Sequence, residues 1–335
     1  MTNVRLEGGE MRSAFFACLA FSGCMLSGQS SGQEQDFASR PIRLIVPVPP
    51  GGNNDLVARI VTNALVEHAG FKFVVDNRPG GGGVIAAETV AHAAPDGRTL
   101  LFAFASFAMT PFMTKVNYDP LRDFTPIALL STSPLLLVVN NTLPVANVKE
   151  LIALTKSRPK GINGGIPSSG SAGHLALELF KLRSGTTDGI VSIGYSGGGP
   201  AQIALMSGEV QLVFASVPTA TPYVKSGKVK AIAAIAKNRL PTFPDVQTAR
   251  ESGLDLETAT PWTSIFGPAK LPRPIVLRLN AEIDKVLKRP DIIEKLALTG
   301  SDAVGGKPED LGDKIAQDMK EFAKIIPALG LRTGQ

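Results

Sequence analysis

Short apolar runs rich in β-branched residues alternate with amphipathic stretches along most of this chain, and a Gly/Pro/Ser turn separates each from the next. That alternation leaves few folds open. Strands recurring between helical segments argue for a largely parallel sheet covered by helices. Residues 42–46 read as a strand, and residues 55–67 as a helix with Leu56, Ile60, Ala64 and Leu65 on one side. Residues 72–76 give a second strand and 84–93 a second helix. Residues 99–103 are apolar on both faces, as a buried strand requires.

A second series follows. Strands are expected at 125–130 and 134–139, then a helix at 147–157 with Asn147 as its cap and Glu150 at the capping-box position. A loop over 164–173 leads to a helix at 174–184 and a strand at 189–193. Helices at 200–207 and 219–226 then alternate with strands at 210–214 and 229–234. The final part holds a strand near 264–267 and amphipathic helices at 275–288 and 309–329, which read as a return to the first unit. The expected division is residues 34–138 with 258–335 as one domain and 139–257 as the other.

The first 33 residues stand apart. Residues 13–26 are apolar but short, Arg12 flanks them, and a small polar stretch follows, which is the architecture of a cleavable signal peptide. Met11 is an alternative start, because Glu7 and Glu10 suit a leader poorly. Both cysteines, Cys18 and Cys24, fall in this segment, so the mature chain is expected to hold neither thiol nor disulfide. Anchoring through a lipidated Cys24 is the less favoured reading, because Phe21 fits such a cleavage box badly. Past the leader no stretch reaches the roughly 18 apolar residues of a membrane span, so an exported, soluble protein is expected. The formal charge of +5 is scattered, without a basic stripe, and no nucleic-acid partner is expected.

The turns carry the chemistry. Pro49-Pro50-Gly51-Gly52-Asn53-Asn54-Asp55 ends a strand and opens a helix. Prolines stop the ladder, glycines let backbone N–H groups turn inward, and a helix start offers unpaired donors to an anion. The alternative at this point is a plain capped turn. Ser168-Ser169-Gly170-Ser171 before His174, and Tyr195-Ser196-Gly197-Gly198-Gly199-Pro200, repeat the arrangement. The run from Gly80 to Gly83 lacks a Walker signature and reads as a turn that brings the next helix close to the sheet. Acids do not cluster as metal ligands, and neither a metal nor a cofactor is expected. Among the histidines only His174 lies beside a loop. A serine hydrolase using Ser169 or Ser171 with His174 is the rival reading from another class, though no nucleophile elbow is present.

These residues resemble a known family. Pro41-Ile42-Arg43-Leu44-Ile45-Val46-Pro47, Pro49-Pro50-Gly51-Gly52 with Asp55, Asn77-Arg78-Pro79-Gly80, Ala94-Pro95-Asp96-Gly97, Tyr118-Asp119-Pro120 with Asp123-Phe124, and Pro244-Asp245-Val246 with Gly253 are similar to the substrate-binding receptors of tripartite tricarboxylate transporters, the Bordetella uptake gene family. The resemblance runs from Arg40 to Leu331. It implies a non-catalytic, periplasmic, two-domain clamshell of the type II binding-protein kind, each domain a mostly parallel sheet flanked by helices. It also implies a small organic acid or amino acid as ligand, permease subunits as partners, and a monomer.

Carried over to this chain, the ligand contacts are Gly51, Gly52, Asn53, Asn54 and Asp55, with Ser106 and Phe107, in the first domain. Those of the second are Ser168, Ser169, Gly170, Ser171, His174, Tyr195 and Ser216. Asp55 is expected to position its loop, since a bare carboxylate repels an anion. Val48 stands where the family usually has Phe, Ser196 where a Lys or other polar residue is frequent, and Ala215 where an acid or amide is frequent. These departures imply a less polar acid. A sensor presenting its ligand to a membrane kinase is the rival within binding proteins.

Overall fold

The computed structural model describes residues 1–2, 40–158, 161–167 and 171–328. The expected leader, with Met11, Cys18 and Cys24, lies outside the described residues, as do Ser168, Ser169 and Gly170.

The first sheet takes β1 (Ile42–Val46), β2 (Phe73–Asn77), β3 (Thr99–Phe104) and β4 (Phe124–Thr132), connected through α1 (Asn53–Ala69), α2 (Val84–Ala91) and α3 (Ser106–Met113). The second takes β5 (Leu135–Asn140), β6 (Ile162–Ile166), β7 (Ile190–Gly194), β8 (Leu212–Ser216) and β9 (Val229–Ile235). Its helices are α4 (Val148–Ser157), α5 (Ala172–Ser184), α6 (Gly198–Ser207) and α7 (Val217–Lys225). The chain then returns through β10 (Trp262–Pro268), α8 (Arg273–Leu287), α9 (Pro290–Leu298), β11 (Asp302–Ala303) and α10 (Pro308–Ala328). Strand order is β11-β4-β10-β3-β1-β2 in one sheet and β7-β6-β8-β5-β9 in the other.

Both sheets are mixed. The alternating segments pair in parallel, β1 with β2 and β3, and β6 with β7 and β8. The antiparallel half enters where the chain changes sheet. β5 is the first strand after the outward crossing and β10 the first after the return. Each inserts antiparallel to both its neighbours. Two-domain α/β architecture follows from the sequence pattern; the direction of these two strands does not.

Alternation of side chains explains the layering. Leu44, Leu100 and Phe102 face α1, α8 and α9 in one core, with Val57, Val61, Leu279 and Ile283. Ile45, Leu101 and Ala103 face the other way, into a core that continues through Trp262 to Leu137, Phe180 and Phe214 of the second sheet. A third core seats α6 and α7 on Leu136, Val138 and Val213.

Two expectations are corrected. Residues 162–166, partly assigned to a loop, form β6 at the heart of the second sheet. A Cβ on Gly164 would stand 2.9 Å from Leu177 Cδ1, and one on Gly165 would stand 2.9 Å from Val213 Cγ2. These glycines admit close packing, where sequence reasoning takes glycine for a turn. α3 and α9, each only about two turns long, went unread because so few apolar positions register no period.

The sheets meet at their edges. Only Ser133 and Pro134 separate β4 from β5, and Ser133 N donates to Pro261 O at 2.8 Å on the returning strand. Leu135 pairs with Ser216 and Ile235, at the C-terminal ends of β8 and β9. Trp262 pairs with Thr132, and Thr263 with Phe104 at the C-terminal end of β3. The C-terminal edges of both sheets therefore flank one double-stranded hinge.

Candidate functional site

In open α/β sheets ligands bind beyond the carboxyl ends of the strands. Three helices start at that edge of the first sheet. The turn before α1 is tied down by Asp55, which is 1% exposed. Its Oδ2 accepts from Gly51 N and Arg59 Nε, both at 2.9 Å, and its Oδ1 from Asn77 Nδ2 at 2.8 Å. Asn77 Nδ2 also donates to Val48 O at 2.9 Å, and its Oδ1 accepts from Arg59 Nη2 at 3.1 Å. Burial alone pushes the Asp55 carboxyl up, but hydrogen bonds from Arg59, Gly51 and Asn77 outweigh it and hold the group below its ordinary range. Gly51 adopts φ +86°, the left-handed region, and its N–H is spent on Asp55. Gly52 and Asn53 are exposed and Asn54 is half-buried.

Gly80 to Gly83 all have φ between +58° and +130°, a run that only glycine adopts without strain. Ser106 Oγ donates to Gly82 O at 3.2 Å, and a Cβ on Gly83 would stand 3.5 Å from Pro47. The starts of α2 and α3 thus border a crevice of about 10 Å³ lined by Pro47, Gly82, Gly83, Phe104, Ser106 and Phe107. Phe107 is a core residue more than a contact. Its ring stacks on Tyr118 at 5.6 Å and meets Phe124 edge-on at 4.9 Å, so it floors the crevice.

The second sheet repeats the scheme. Ser171 caps α5, its Oγ accepting from His174 N at 3.2 Å. That hydroxyl serves the helix end as an acceptor. A Cβ on Gly173 would stand 2.5 Å from Phe214 O, so α5 is seated directly on the end of β8. His174 is buried, and burial holds its imidazole below the usual range, with Glu178 opposing and Lys181 reinforcing the shift.

Tyr195 is turned elsewhere. Its phenol donates to Glu209 Oε1 at 2.9 Å, and burial together with that carboxylate pushes it up to about 12. Glu209 precedes β8, so the hydroxyl points along the sheet away from the C-terminal edge. The ring itself lies beside Gly165, where an added Cβ would stand 3.5 Å from Tyr195 Cε2. Ser216 does reach the rim: it is exposed, and its Oγ pairs with Thr219 Oγ1 at 2.7 Å. Thr219, which sequence reasoning missed, lies 3.3 Å from a Cβ placed on Gly198 and so joins the starts of α6 and α7. Ala215 buries its methyl in the third core and does not set the polarity of the rim.

Six helices, with Ser106, Ser216 and Thr219 at or near their starts, follow strands that end at these two edges, and Asp55 among them is bonded by three donors. Unpaired amides and helix dipoles of this kind hold a small anion. Among the described residues no group of three or more His, Cys, Asp or Glu could hold a metal ion, and no helix is long and apolar enough to cross a membrane.

Known proteins are similar to this chain in sequence and fold. The chain is 33% identical to Protein BugT of Bordetella pertussis over 299 residues, 88% of this chain and 91% of that one. A ligand-free TctC solute binding protein from Polaromonas superposes with a TM-score of 0.79 at 27% identity, covering 87% of this chain and 99% of that one. Rpa4515 of R. palustris, solved with adipate, superposes at 0.65 with 31% identity, covering 87% and 98%. Residues 57–331 match the tripartite tricarboxylate transporter family receptor, and the chain belongs to that family of periplasmic solute-binding proteins.

Proposed function

We propose that this receptor captures a small carboxylate-bearing organic acid between its two lobes and delivers it to the membrane subunits of a tripartite tricarboxylate-type transporter. It would work as a monomer, exported by a cleavable leader over residues 1–33. The observation that carries the reading is the pair of facing rims, built from helix starts and hydroxyls, with Asp55 already satisfied by Gly51, Arg59 and Asn77. An R. palustris relative with adipate bound supports the ligand class. The lobes are residues 40–133 with 261–328, and 134–260, hinged at the Ser133–Pro261 hydrogen bond. We place the first boundary a few residues before the expected 138, a choice supported by the pairing of β5 with the second sheet along its length.

A thermal-shift screen of mono- and dicarboxylates, adipate included, tests the reading. A ligand at a hundredfold excess over its Kd stabilises the native state by about 2.7 kcal/mol, so the melting temperature rises for the right acid. Absence of any rise across the panel overturns the receptor reading. Gly52→Val is the companion variant. At φ −74°, with its nearest neighbour Pro49 O at 3.8 Å, position 52 accepts a side chain without backbone strain. The variant should keep its free melting temperature and lose the shift. At Gly51 the left-handed backbone would confound the same test.

A further inference from the structure

α6 starts at the second rim, and one turn along it lies Gln202, which is 0% exposed. Neither Gln202 Oε1 nor Nε2 has a hydrogen-bond partner. A buried primary amide in that condition is rare and demands a reason. Its position supplies one. Gln202 follows Gly198 by four residues and Gly199 by three, so it neighbours each of them on the helix surface. Helical side chains lean toward the N-terminus, which carries the Gln202 amide beneath the first turn of α6. There a Cβ on Gly198 would stand 3.3 Å from Thr219 Cγ2, beside the Ser216–Thr219 hydroxyl pair at the cleft edge of β8. Gly199 is exposed and has no atom within 4 Å of its Cβ position, so no side chain covers the helix start there. A helix start without a side-chain cap and a buried amide without partners thus lie within one turn of each other.

We propose that Gln202 is a specificity-determining residue, reading the tail of the bound acid and selecting a group that both donates and accepts a hydrogen bond, a hydroxyl or a carboxamide. This rests on the receptor reading above, in which the helix starts hold the carboxylate end. The chemistry follows from the amide itself. Nε2 donates and Oε1 accepts, so a carboxylate tail would satisfy only the first and a methyl tail neither.

Calorimetric titration with acids of matched length tests it: hexanoate, 6-hydroxyhexanoate, adipamate and adipate, and the four-carbon set butyrate, 4-hydroxybutyrate, succinamate and succinate. Wild type should bind the hydroxyl- or amide-ended acid of at least one set about tenfold or more tightly than its methyl-ended partner, as a site built to pair a polar group does. Gln202→Leu and the unbranched Gln202→Met should bring that ratio near one, keep the methyl-ended affinity, and melt no lower than wild type. Equal affinity for all tails in wild type, or an unchanged ratio in both variants, overturns the assignment while leaving the receptor reading intact. Failure of wild type to bind any acid of either set overturns both.

Discussion

Asp55 illustrates what a carboxylate needs in order to lie beside the proposed anion site. Three donors surround it, and two of them, Arg59 and Asn77, also bond each other. Asn77 is the shared piece, since the same amide holds Val48 O of the first turn. Asn77→Ala should therefore lower stability at pH 7 by about 1–3 kcal/mol, the cost of leaving buried polar atoms unpaired. The sign with pH follows from linkage. A carboxyl held below its ordinary 3.8 contributes stability that is complete above that value and lost as the pH falls through the folded-state value. The variant has less of this contribution to lose, so its deficit against wild type should narrow between pH 7 and pH 3. A deficit equal at both pH values would reduce Asn77 to packing. At this scale the sequence shows which residues are unusual but not whom they meet. Asp55 is legible as a loop-positioning acid from charge logic alone, whereas its tie to Asn77 spans 22 residues and appears only when β1 and β2 align. Tyr195 stands in a rim loop by sequence, yet Glu209 draws its hydroxyl away.

Glycine means opposite things in different elements, and that ambiguity accounts for the main error about the fold. Gly80 to Gly83 are glycines because the backbone there is left-handed. Gly164 and Gly165 are glycines because Leu177 of α5 and Ile190 of β7 crowd the first, and Val213 of β8 with Val210 the second. Composition cannot separate these cases. A long periodic segment can be read directly, as with the helix capped by Asn147, whose Oδ1 accepts from Glu150 N at 3.0 Å while Glu150 Oε2 accepts from Ala146 N at 2.7 Å. The packing account of β6 makes a prediction. Gly164→Val places branched carbons against Leu177 Cδ1 and Ile190 Cγ2, which an added Cβ alone would approach to 2.9 and 3.1 Å. Overpacking of this sort costs about 1–3 kcal/mol. Denaturant unfolding should show that loss in the midpoint with little change in slope, whereas Gly199→Val, at an uncrowded position, should show much less. Comparable losses in the two variants would mean that crowding is not what selects glycine in β6.

Across the whole molecule, the hinge is where local pattern and tertiary structure part company. β5 and β10 look like any other apolar strand, yet they run against their neighbours because each must carry the chain over the same edge. Trp262, the only tryptophan, opens β10 there, and its Nε1 donates at 2.9 Å to Asp318 of α10. Lys314 Nζ reaches the same carboxylate at 3.1 Å and lies 5.9 Å from the centroid of the indole ring. Burial pushes the Asp318 carboxyl above its ordinary value; Lys314 and Trp262 oppose that without overcoming it, and Glu257 adds to it. The direction of linkage is thus the reverse of that at Asp55. With the folded-state value above the unfolded 3.8, the unfolded chain ionises first as the pH rises, so Asp318 withdraws stability on going upward through this interval. Asp318→Asn keeps an acceptor for the indole and removes the charge. Followed by the emission of Trp262, its melting temperature should improve relative to wild type on going from pH 3 to pH 7. A variant whose deficit grows over that interval would show that the Lys314–Asp318 pair, and not the burial of its carboxylate, governs the hinge.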